Sequence, residues 1–94
     1  MVRADSVNSL STLRRENLSP GSLTGSLGRR AFEVLVHVAE GMTNTAIAQR
    51  MGISEATVVN HLTHIYLKLR IPDDCNPRVT ATLILLREAD LLGS

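Results

Sequence analysis

The stretch from Thr43 to Leu69 reads TNTAIAQRMGISEATVVNHLTHIYLKL. Two helices and a tight turn can be read in it. Thr43 is a good N-cap, because its side-chain oxygen can accept a first-turn amide. Ile47, Ala48 and Met51 then give a short helix one apolar face. Gly52 breaks that helix, and Ile53 is the apolar residue able to tuck beneath both helices. Ser54 caps the next helix, with Glu55 in its first turn, where the helix dipole favours an acid. Val58, Leu62, Ile65 and Leu69 recur at i, i+4, i+7 and i+11, so this helix spans about residues 54–70. Short helix, glycine turn and longer helix together predict a helix-turn-helix.

The pattern extends outward on both sides. Phe32, Leu35, Val36 and Ala39 define a helix that starts at Arg29 and is stopped by Gly41. Pro72-Asp73-Asp74-Cys75-Asn76-Pro77 reads as a loop, and a fourth helix runs from Pro77 to about Leu91. Its stretch Val79 to Leu86, VTATLILL, is apolar nearly all round. One face belongs on the first and third helices. The other calls for burial against a second copy, with cover by Leu10 and Leu13 as the alternative. Thr82, Leu85 and Leu86 are the candidate outward positions for such a dimer.

Residues 1–26 are rich in Ser, Leu, Asn and Gly. Ser19-Pro20-Gly21-Ser22 is turn chemistry, and Val7, Leu10 and Leu13 allow at most a short amphipathic helix. Nothing alternates at period two. The expected fold is therefore all-α: a four-helix domain over residues 27–94 behind a flexible N-terminal arm or linker over 1–26.

Composition sets bounds. A chain of 94 residues suits one domain, and 44% hydrophobic content can supply its core. No apolar run approaches the ~20 residues of a membrane helix, so no membrane partner is expected. Met1 to Asp5 lacks the apolar run of a secretory signal. The single Cys75 has no internal disulfide partner, which fits a cytoplasmic protein. Net charge is +1 and points nowhere by itself. Between Thr43 and Pro72, however, the only acid is Glu55, against Arg50, Lys68 and Arg70.

Catalysis and metal binding find little support. No nucleophile, base and orienting group stand together, so the chain is not read as an enzyme. His61, His64 and Cys75 lack zinc-ligand spacing, and no metal or cofactor is expected. One Phe, one Tyr and no Trp make a poor stacking platform for single strands.

Double-stranded DNA is the partner that fits a helix-turn-helix, whose second helix enters the major groove. Once the core positions are subtracted, Ala56, Val59, Asn60 and Thr63 form the opposite stripe. Asn60 can pair bidentately with adenine, Thr63 can meet either base type, and Val59 can touch a thymine methyl. Thr43, Asn44, Thr57 and Lys68 sit at helix ends and flanks, where phosphate contacts arise.

Gly41-Met42-Thr43-Asn44, Ile47-Ala48, Ile53 through Val58, Asn60-His61-Leu62, Ile65-Tyr66 and Lys68-Leu69 together resemble the LuxR/NarL (GerE-type) helix-turn-helix family. Leu27, Arg30 and Glu33-Val34-Leu35 resemble its opening motif, and Arg78-Val79 with Ala81 the start of its fourth helix. The resemblance spans about Leu27 to Leu92. It implies sequence-specific DNA binding by a bacterial transcription regulator, as an output domain or a stand-alone short regulator. It places base contacts on Val59, Asn60 and Thr63, backbone contacts near Thr43, Asn44, Thr57 and Lys68, and homodimer formation on the fourth helix. An upstream receiver or sensor domain, frequent in such regulators, has no room within residues 1–26. Four positions and the loop Pro72 to Pro77 depart from the family's commonest members. Lysine is common where this chain has Val59, threonine at Gly28, glutamate at Ala31 and glycine at Arg70. Val59 and the near-zero charge also suit a protein-protein adaptor of the same fold.

Overall fold

The computed structural model describes residues 13–18 and 21–90. After two single 3-10 turns, Arg15–Asn17 and Thr24–Ser26, come α1 (Arg29–Ala39), α2 (Asn44–Met51), α3 (Glu55–Lys68) and α4 (Pro77–Glu88). No strand occurs among the described residues, and the architecture is all-α. None of these helices is long and apolar enough to cross a membrane. Val7, Leu10, the Ser19-Pro20 turn and Leu91 lie outside the described residues.

Caps set where the helices begin. The Thr43 hydroxyl accepts from the Ala46 amide at 3.2 Å, and that of Ser54 from the Thr57 amide at 3.1 Å. A third cap was not read in the sequence: Asn76 Oδ1 accepts from the Val79 amide at 3.0 Å, with Pro77 in the first turn. At α1 the N-cap is Gly28, which supplies no side-chain bond.

Left-handed residues set where the helices end. Gly41 (φ 88°) lets its own amide reach Val38 O and that of Met42 reach His37 O, at 2.9 and 3.1 Å. This closure satisfies carbonyls that the last turn would leave unpaired. Helix α3 closes in the same way on Arg70 (φ 54°), whose amide reaches Leu67 O while that of Ile71 reaches Tyr66 O. A side chain in that region costs roughly 1–2 kcal/mol. Burial of Leu69 and packing of Ile71 on the core favour the turn. Helix α3 therefore stops at Lys68 and α4 at Glu88, both short of the expected ends at Arg70 and Leu91.

Helix α1 is the central element, packed chiefly against α3 and α4. Its buried residues include Val34, His37 and Val38 as well as the expected Phe32, Leu35 and Val36. The helix covered on most sides is thus α1, not α4. Helix α2 rests mainly on α3 through Ile47 and Ala48.

One expectation for α4 is overturned. Leu85 is fully buried beside Ala81, within this chain's own core, and is not an outward position. The residues left outside are Val79, 56% exposed, and Leu83, 41% exposed, with Leu86 half-buried. They recur at i, i+4 and i+7. Thr82 is half-buried, and its hydroxyl donates to Arg78 O at 2.9 Å. A nearly all-apolar helix gives no sequence signal of which face turns inward.

The segment ahead of α1 packs more than its composition suggested. Leu18, Thr24 and Leu27 are buried, and Arg15 Nη1 donates to Leu27 O at 2.8 Å. Residues 13–16 border a cleft on α1 beside Phe32, Val36 and His37, so Leu13 sits against α1 and not α4. Glu88, the last residue of α4, fixes the second 3-10 turn. Its carboxylate accepts from the Leu23 amide at 2.9 Å, the Thr24 amide at 2.8 Å and the Thr24 hydroxyl. Packed structure thus begins ahead of Leu27.

Burial opposes ionisation of Glu88, but the three hydrogen bonds outweigh it and hold the carboxyl below its ordinary value. A group whose pKa is lowered by folding stabilises the fold above its ordinary pKa and loses that effect as pH falls through the folded value. Glu88→Gln should therefore destabilise the domain by about 1–2 kcal/mol at neutral pH, allowing for partial exposure. Urea titrations should show the gap to wild type narrowing as pH falls from the ordinary carboxylate range through the lower value that Glu88 has in the fold. A gap that is constant with pH would mean that the charge contributes nothing.

Candidate nucleic-acid interface

Four apolar residues anchor α3: Val58, Leu62, Ile65 and Leu69 all point inward. The other side of the helix is therefore held at a fixed height above the core. Ala56, Val59, Asn60 and Thr63 are all exposed there, so the three candidate base readers share one stripe. Thr63 is partly committed. Its hydroxyl donates to Val59 O at 3.0 Å, so the oxygen can still accept and the methyl group stays uncommitted. Leu67, one turn further on, is 70% exposed and was not singled out in the sequence.

The candidate backbone contacts fall into separate groups. Thr43 and Asn44 stand together at the start of α2. Because Thr43 Oγ1 accepts from Ala46, its hydroxyl hydrogen is left to donate outward. Thr57 is half-buried, and its Oγ1 lies 2.9 Å from Ser54 Oγ, so the pair keeps one hydroxyl hydrogen for an outside acceptor. Lys68 is exposed at the far end of α3, about 16 Å along the axis from Thr57. The lone acid of the stretch, Glu55, accepts from Thr45 Oγ1 at 3.0 Å and ties α3 to α2.

Asn44 is oriented by a residue from the other end of the sequence. Arg78, in the first turn of α4, donates through Nη1 to Asn44 Oδ1 at 2.9 Å and through Nη2 to Met42 O at 2.7 Å. With its oxygen occupied, Asn44 presents its NH2 donors. Arg78 also faces Tyr66 of α3. Burial raises the Tyr66 hydroxyl above its ordinary value, and the Arg78 charge and hydrogen bond pull the other way. One guanidinium thus links α2, α3 and α4. No local pattern marks this role, since Asn44 and Arg78 are 34 residues apart.

A capped short helix, a left-handed glycine (Gly52, φ 69°) and a core-anchored second helix with an exposed outer stripe are the parts of a helix-turn-helix. The profile of bacterial regulatory proteins of the luxR family (GerE) matches residues 25–80, more than half of the chain. The chain belongs to the luxR family. An HTH-type transcriptional regulator from Mycobacterium tuberculosis, Rv0890c, is 42% identical over 59 residues, covering 63% of this chain and 7% of that protein. The transcriptional regulatory protein LiaR of Bacillus subtilis is 39% identical over 74 residues, covering 77% of this chain and 34% of LiaR. A second Bacillus subtilis protein, the transcriptional regulatory protein LnrK, is 40% identical over 47 residues. The luxR-family domain described here therefore spans a minor part of each of the first two relatives. No solved structure is matched.

Two family departures have visible consequences. With Gly28 in place of threonine, α1 starts without a side-chain cap. With Arg70 in place of glycine, α3 ends on a side chain in the left-handed region. Neither alters the helix-turn-helix itself.

Proposed function

We propose that this domain binds duplex DNA by seating α3 in the major groove, as the DNA-reading part of a bacterial transcription regulator. The observation that carries the reading is the exposed stripe Val59, Asn60 and Thr63 on a helix whose opposite face is locked into the core. The rigid backing matters because base readout requires side chains held at a fixed depth. Thr43, Asn44, Thr57 and Lys68 supply backbone contacts, since each keeps a donor that its contacts within the domain leave uncommitted. Two copies pair through Val79, Leu83 and Leu86 of α4, and the outward apolar face there supports this. The names of the relatives support a transcriptional role.

Asn60→Ala should weaken binding to a selected target duplex by about 1–3 kcal/mol and leave binding to arbitrary duplex nearly unchanged. Fluorescence anisotropy on both DNAs measures this. Equal loss on the two, or no loss, would remove Asn60 from the base readers. A second reading has its own support. Val59 is 47% exposed and Leu67 is 70% exposed, and apolar residues on this face suit a protein partner. Affinity for duplex that does not vary with salt would favour that reading, because phosphate neutralisation makes DNA binding steeply salt-dependent.

A further inference from the structure

A groove of about 480 Å³ runs between the start of α1 and one flank of α3. Arg29 and Arg30 line it from α1, and His61, His64 and Lys68 from α3. No carboxylate lines it. Arg30 does pair with Glu33 at 3.5 Å, but both side chains are about half exposed, and such pairs neutralise little. The mouth is open at Gly28, where nothing lies within 4 Å of the place a Cβ would occupy.

The position of this groove selects its occupant. His61, His64 and Lys68 recur at i, i+3 and i+7, a stripe that runs beside Asn60 and Thr63. Glu55 and Tyr66, through which α3 meets Thr45 of α2 and Arg78, lie on the other side of the helix from His61 and Lys68. A helix in the major groove has a phosphate backbone on each side. With α3 seated in the groove, the start of α2, with Thr43 and Asn44, would face one of them, and the basic groove would face the other.

We propose that this groove, built by Arg29 and Arg30 with His61, His64 and Lys68, holds a backbone phosphate of the DNA strand opposite the one approached by α2. This rests on the reading of α3 as the helix in the major groove. The two arginines are the new element, since they belong to neither helix of the helix-turn-helix. An arginine fork matches phosphate oxygens bidentately, and Arg30, whose Nη1 and Nη2 donate to Glu33 Oε1 at 3.5 Å and Met51 O at 3.4 Å, would exchange these long, exposed contacts for the phosphate. A double-flanked α3 would also offset the charge missing at Val59.

The test is the salt dependence of affinity for a short duplex of arbitrary sequence. Each phosphate contact contributes about 0.9 to the slope of log affinity against log salt. The double variant Arg29→Gln/Arg30→Gln should flatten that slope by about one to two units. Arg29→Lys/Arg30→Lys should retain most of it, and Arg87→Gln, an exposed cation on α4, should leave it unchanged. Circular dichroism checks that helix content is kept in each variant.

An unchanged slope in the Gln double variant, with Asn60→Ala still selectively impaired, overturns the groove and leaves the α3 reading intact. Equal flattening by Arg87→Gln shows diffuse charge and also overturns it. Absence of duplex binding by the wild-type chain removes the reading on which the proposal rests. A separate arm titrates inorganic phosphate and follows the Arg30 and Ala31 amides by NMR. Saturation there, combined with an unchanged DNA slope, identifies a free-anion site and rejects the DNA phosphate.

Discussion

Leu85→Asp should unfold the domain, whereas Leu83→Asp, two residues earlier on the same helix, should leave it folded and lose paired DNA binding. Leu85 is fully buried against the central helix. A carboxylate there has no partner and no water, and substitutions of that kind cost more than about 4 kcal/mol. Total stability for a domain this small is about 5–10 kcal/mol, so most or all of the margin is lost. Leu83 is 41% exposed, in line with Val79 and Leu86. An aspartate there stays in water in the monomer, and helix content by circular dichroism should not change. In a dimer it would remove about 1.5–3 kcal/mol of apolar burial per copy. Affinity for an operator with two half-sites about 10 bp apart should then fall by about tenfold or more, with affinity for one half-site preserved. Equal loss on both DNAs by a folded Leu83→Asp would reject pairing through α4.

The contrast between these leucines shows where the sequence is legible. The helix-turn-helix could be read because its signals are local: Thr43 and Ser54 each bind an amide three residues on, and Gly52 takes the left-handed turn itself. The exposed stripe of α3 that we propose reads bases followed by subtraction, because its buried positions Val58, Leu62, Ile65 and Leu69 recur at a clear helical period. Helix α4 offers no such contrast, since VTATLILL is apolar on every side and only the position of α1 decides that Leu85 goes in and Leu83 stays out. The segment ahead of α1 misled in the opposite way. Its Ser and Gly content suggests a loose arm, but Glu88 reaches it from 64 and 65 residues away. The Asn76 cap was legible in principle, as an Asn before a Pro that opens a helix. The basic groove was not, because it joins Arg29 and Arg30 to a stripe on a different helix.

Arg78→Gln should lower both stability and DNA affinity, and a double-mutant cycle separates the two causes. The guanidinium supplies charged hydrogen bonds to Asn44 Oδ1 and Met42 O, and it lies beside Tyr66. Their loss leaves two oxygens unpaired in a half-buried setting and should cost about 2–4 kcal/mol of folding stability. The effect on DNA is expected to pass through Asn44. With Arg78 in place, the Asn44 oxygen is occupied, which leaves its NH2 as the group free to donate to DNA. Without Arg78 the amide is no longer held, and one hydrogen bond to a charged phosphate, about 1.5–3 kcal/mol, is weakened or lost, a factor of about tenfold or more in affinity where it is lost. In an Asn44→Ala background, Arg78→Gln should therefore weaken DNA binding little further, provided affinities are measured where every variant is folded. The salt slope should also stay the same, since Arg78 positions a donor and does not itself neutralise a phosphate. Additive losses in the cycle, with the slope reduced by about 0.9, would instead place Arg78 directly on the DNA backbone. Because Arg78 sits one residue before Val79, on the helix proposed to pair two copies, the same contact would let dimer formation at α4 stiffen the start of α2. In that case Leu83→Asp and Asn44→Ala should be coupled on a two-half-site operator, although their side chains belong to different helices.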